Sequence, residues 1–111
     1  MLTEKDYCDY DTQKSLMELG FPMQAQSYDL GRGLKEYLPK IHLYDAQKWL
    51  REEKGIGITI FHSYYQGTRE LYYQVEIYNT EHWITTFGEF KDWSLALLEG
   101  IKKAIKILKE K

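Results

Sequence analysis

The chain is poor in cysteine (one), in proline (two) and in net charge: 15 Lys and Arg face 17 Asp and Glu, which leaves −2 at neutral pH. Each shortage excludes something. One cysteine cannot build a disulfide framework or a CxxC redox or zinc motif. Cys8 is therefore expected as a small buried residue beside the first helix. A chain without positive excess lacks the charge signature of a dedicated nucleic-acid binder. No apolar run approaches the roughly 18 residues that a bilayer span needs, so no membrane partner is expected. Met1 to Asp6 has no basic region followed by an apolar run, so no secretory signal is expected; with the lone cysteine this makes cytoplasmic the expected location.

Chemical motifs are scarce as well. His42, His62 and His82 lie too far apart for two to share one turn of a helix, as a zinc site on a helix would require. Asp6, Asp9 and Asp11 cluster, but no oxygen-rich loop with a turn glycine and a closing Glu follows them, and helix capping accounts for Asp9 and Asp11. Gly31-Arg32-Gly33 and Gly55-Ile56-Gly57 are turn punctuation, not phosphate loops. No cofactor or metal is expected, and no catalytic constellation is recognisable. An enzyme would have to assemble its site from scattered groups such as Cys8, His62, Glu76 and His82.

What the chain does have is apolar and aromatic content. Its 111 residues are 43% hydrophobic and 15% aromatic, too much for disorder and enough for a single domain over 1–111. A short helix is expected over 10–19, with Asp9 as N-cap, Leu16 and Leu19 sharing a face with Thr12, and Gly20-Phe21 as its stop. Residues 25–30 and 34–38 read as a hairpin around Gly31-Arg32-Gly33, with edge polarity from Gln24, Gln26, Asp29, Lys35 and Glu36. A second helix runs over 43–54 on a Leu43, Ala46, Trp49, Leu50 stripe closed by Gly55. Three strands follow: Ile56 to Phe61 with a period of two, then 71–78, then 82–87. The last helix, 91–109, carries Leu97, Leu98, Ile101, Ala104, Ile105 and Leu108 on one stripe and Lys102, Lys103, Lys106 and Lys109 away from it. Gly100 inside it signals close packing against the sheet. The expected fold is α+β, order α-β-β-α-β-β-β-α: a single antiparallel sheet of about five strands with three helices mainly on one face.

Three segments recur together in this order: Cys8-Asp9-Tyr10-Asp11 through Leu19-Gly20-Phe21, Ala46-Gln47-Lys48-Trp49-Leu50-Arg51-Glu52 leading to Gly55-Ile56, and the closing Ala96 to Leu108 helix. In these the chain resembles small phage- or prophage-type proteins of unknown function found in Bacteroidetes genomes. It departs from their pattern at His42, where a Ser or Thr cap is expected, and at Trp93, where the last helix usually has a small residue. The resemblance implies a mobile-element setting and supplies no catalytic residues.

The unusual feature is the 10 Tyr, 3 Trp and 4 Phe. Alternation on 71–78 sends Val75 and Ile77 to one face and Tyr72, Gln74, Glu76 and Tyr78 to the other. With helices on one side only, the free side becomes a tyrosine-rich platform, and Phe61, Tyr64, Tyr65, Tyr72 and Tyr78 are its candidate interaction residues. Tyr offers large contact area at low entropic cost, which suits a protein partner, a second copy of the chain (a homodimer) included. Base stacking on the same rings is a second reading, with Arg69 and the lysines Lys102, Lys103, Lys106 and Lys109 as nucleic-acid contacts, and solvated tyrosines that simply suit strands are a third. The expected function is a mobile-element accessory domain acting through protein–protein interaction; a nucleic-acid-binding accessory protein is the alternative.

Overall fold

Sequence punctuation decides where each helix begins and ends. In the computed structural model, which describes residues 6–22, 41–79 and 81–110, α1 spans Tyr10–Glu18 and Asp9 caps it, accepting the Thr12 N–H at 2.9 Å. Gly20, at φ +102, then lets Phe21 N–H return to Leu16 O and Gly20 N–H to Met17 O, both at 3.0 Å, so two terminal carbonyls are satisfied. Phe21 lands edge-on against Trp49, ring centroids 5.3 Å apart. Helix α2 spans Leu43–Lys54. Its N-cap is His42, whose Nδ1 accepts the Tyr44 N–H at 3.1 Å, so an imidazole does the work of the missing hydroxyl.

Strands β1 (Ile56–Tyr64), β2 (Leu71–Asn79) and β3 (Trp83–Phe90) form an antiparallel meander in the order β1-β2-β3. Helix α3, Trp93–Lys109, closes the described chain, with Asp92 accepting the Ser94 and Leu95 N–H groups. The element order among the described residues is thus α-α-β-β-β-α, with three strands where about five were expected. The difference is the hairpin expected over 25–30 and 34–38, which lies outside the described residues. Strand β1 also runs three residues past Phe61 and β3 three past Phe87; the second extension passes through Gly88, at φ +93, and a register shift, which breaks the simple alternation.

The core lies between α2, α3 and one face of the sheet. Ile56 and Ile58 of β1 and Val75 and Ile77 of β2 meet Leu43, Ala46 and Leu50 of α2 and Ala96, Leu97, Ile101 and Ala104 of α3. Gly100 is buried where α3 crosses the sheet: a Cβ there would come within 2.7 Å of Ile58 Cγ2 and 2.9 Å of Val75 Cγ1. The missing side chain lets helix and sheet approach closely. Helix α1 adds Leu16, and Cys8 is 6% exposed beside it. Cys8 N–H donates to Ile41 O at 2.8 Å and Gln13 Oε1 accepts the Ile41 N–H at 3.0 Å, which anchors this corner to the start of α2.

Candidate interaction surface

The register of the sheet sorts its side chains. Ile58 pairs with Ile77 and Ile60 with Val75, so the even residues of β1 and the odd residues of β2 face the helices. Gly57, Thr59, Phe61 and Ser63 then share the opposite face with Tyr72, Gln74, Glu76 and Tyr78. No described helix packs on that face: the buried apolar strand residues Ile56, Ile58, Val75 and Ile77 lie on the other, and Gly57, buried on this one, is covered by the Tyr78 ring.

The rings of the open face are tied into its backbone and to each other. The Tyr78 ring lies across Gly57, and its hydroxyl accepts from Thr59 Oγ1 at 3.3 Å. Tyr65 and Tyr72 are tilted against each other, ring centroids 4.5 Å apart. Tyr65 also donates to Glu89 Oε2 at 3.4 Å and takes the Lys91 ammonium over its ring at 4.6 Å. Trp83, 57% exposed, donates from Nε1 to Thr86 Oγ1 at 2.9 Å. The surface therefore runs from Tyr65 and Tyr72 through Phe61 to Tyr78 and Trp83, with Gln74, Glu76 and Thr59 as polar groups among the rings.

Four of the five expected platform residues, Phe61, Tyr65, Tyr72 and Tyr78, fall on this face. Tyr64 does not. Opposite Leu71 in the register, it projects to the helix side of the sheet, at a free end where it is 60% exposed. Trp83 was not singled out in the sequence; its cross-strand pairing with Tyr78 places it beside the platform, and no local pattern announces that pairing.

The basic residues are spread out. Arg69 is exposed in the turn between β1 and β2. On α3, Lys102 binds Asp9 at 2.9 Å and Glu99 at 3.5 Å, and Lys109 binds Glu18 at 3.0 Å and the Ser15 hydroxyl at 3.3 Å. Burial pushes the Asp9 carboxyl up, but hydrogen bonds from Thr12 and Lys102 more than offset it and hold it below the usual carboxylate range. The Asp9 hydrogen bond raises the Lys102 ammonium above its ordinary value. Two of the four lysines are thus engaged in holding α1 to α3, and Lys103 and Lys106 have no ion-pair partner among the described residues. An open cleft of about 480 Å³ lies between the two helices, lined by Thr12, Ser15 and Ile105 and by Lys102, Lys106 and Lys109.

The scattered catalytic candidates stay scattered. Cys8 is buried, and burial together with the Asp9 charge pushes its thiol up to about 12. Glu76 is on the open face, His62 on the opposite one, and His82 in the turn between β2 and β3. Among the described residues no group of His, Cys, Asp and Glu is placed to hold a metal ion, and no helix is long and apolar enough to cross a membrane. No protein-family model matches the chain, and neither a curated protein nor a solved structure matches it.

Proposed function

We propose that this domain is a non-enzymatic binding module that engages a protein partner through the open face of its sheet. One observation supports it above the rest: Phe61, Tyr65, Tyr72 and Tyr78 share a face on which no described helix packs. Rings anchored by hydrogen bonds and by contact with each other lose little freedom on binding. Tyr and Trp, with their polar handles, are the residues that dominate protein interfaces. Gln74, Glu76 and Thr59 supply directional contacts among them. Glu76 and Glu89 set this face against a phosphate backbone, so a protein partner fits it better than a nucleic acid. The mobile-element setting implied by the sequence resemblance suits a small accessory domain of this kind.

The test compares the wild-type chain with a Tyr72→Ser, Tyr78→Ser double variant as bait in cross-linking capture from infected bacterial cells. Partners that bind here are lost from the variant while its far-ultraviolet spectrum stays native. Equal recovery by both baits sinks the assignment.

A further inference from the structure

Among the described residues, the two outer edges of the three-stranded sheet differ. The β3 edge is distorted: the register against β2 shifts twice, Gly88 stands at φ +93, and Glu89 adds a charge. Bulges and charges of this kind keep an edge from templating another strand. The β1 edge has neither. Its register against β2 is unbroken from Ile56–Asn79 to Tyr64–Leu71, and Ile56–Tyr64 contains no proline, Lys, Arg, Asp or Glu.

The direction of the β1 backbone groups follows from two hydrogen bonds. Just past the strand, Tyr65 N–H donates to Glu70 O at 3.1 Å, so the odd-numbered residues bond to β2. The even-numbered ones, whose groups alternate with these, face away. Ile58 O fits this parity: it accepts from Gln47 Nε2 of α2 at 2.7 Å. Helix α2 thereby covers the start of the edge. Further along, the outward backbone groups of Ile60, His62 and Tyr64 meet no partner among the described residues.

We propose that this stretch of β1 pairs with the same stretch of a second copy of the chain, antiparallel about His62, so that two sheets become one. The parity allows it. A two-fold axis at His62 sets each outward N–H opposite a carbonyl of the other copy, with Ile60 beside the second copy's Tyr64, an aliphatic–aromatic cross-strand pair. On the open face Phe61 meets the second copy's Ser63. No charged side chains are brought face to face along the strand, and a net charge of −2 per chain repels only weakly. A charged peptide would find no counter-charge on this edge, whereas a second copy needs none. The inference does not rest on the open face being the binding surface.

Light scattering over a wide concentration range, with residue-resolved amide exchange at each end of it, tests the pairing. The expected result is a mass that doubles with concentration, and amides of Ile60, His62 and Tyr64 that become slow only in the doubled state. Phe61 and Ser63, bonded to β2, stay slow throughout. His62→Lys, which opposes two charges at the axis, should weaken association at least about tenfold, and Tyr64→Lys serves the same purpose if that variant does not fold. Tyr72→Ser with Tyr78→Ser should leave it intact, so failure of the proposed binding face and failure of the edge pairing are told apart. Three results overturn the proposal: a monomer with fast edge amides at every concentration, a dimer whose edge amides stay fast, or edge amides that are already slow where the mass is that of one chain, which would mean that the edge is paired within the chain.

Discussion

Helix α3 is joined to the sheet and to α1 by opposite chemistries. Toward the sheet it presents Leu97, Ile101 and Ala104, all fully buried, and the bare backbone of Gly100. Toward α1 it presents Lys102 and Lys109, which hold Asp9 and Glu18 in half-exposed ion pairs. Within its own span α1 sinks a single large apolar side chain completely, Leu16. The apolar joint draws on surface removed from water and is nearly indifferent to salt and pH. The polar joint draws on charge in high dielectric, where each exposed pair is worth little and is screened. One helix therefore carries both a durable seam and a condition-dependent one.

The largest expected effect breaks the durable side. Leu97→Ala should cost about 3 kcal/mol in urea unfolding, since it leaves a void beneath α3. Next, Gly100→Ala gains about 1 kcal/mol of helix propensity but drives a Cβ into Ile58 and Val75, two buried β-branched side chains with little room to turn. The clash should win, for a net loss of about 1 kcal/mol; a stabilised Gly100→Ala protein would mean that helix and sheet are not in close contact there. On the polar side, acid should loosen α1 first. The Asp9 carboxyl is held below its ordinary range, so its contribution is complete above that range and is lost as pH falls through the lowered value. The Lys102 contribution is complete below the ordinary lysine range and is lost as pH rises through its raised value. Amide protection in α1 should therefore fall at both extremes while α3 amides facing the sheet hold; parallel loss in both helices would contradict the separation. The smallest effect belongs to Asp9→Asn, which keeps a capping side chain and removes the charge. It should cost less than about 1 kcal/mol, and the difference from wild type should shrink in concentrated salt.

Periodic features could be read in advance. The apolar stripe of α3 reappears as its buried face, the Gly20-Phe21 stop folds back as expected, and 43–54 matches α2 because leucine spacing and a terminal glycine are local signals. The side of the sheet on which Tyr72 and Tyr78 lie was legible for the same reason, through the buried Val75 and Ile77 between them. Tyr64 was misplaced because its side depends on counting parity through an unbroken β1, and the pattern alone ended that strand at Phe61. The Asp9–Lys102 pair was invisible: two charges far apart in sequence leave no periodicity, and their meeting is decided by how α1 lies on α3. The bulge in β3 was hidden likewise, since a glycine and a charged residue in a strand look like its end.

The buried Cys8 gives the molecule a gauge of its own. Thiol reagents attack the thiolate, and a group pushed up to about 12 beneath a folded corner offers almost none at neutral pH. It reacts at an ordinary rate only from states in which that corner is open to solvent. As the chain's single cysteine, it makes the rate of alkylation a direct count of those openings, with no label introduced and no second site to confuse the reading.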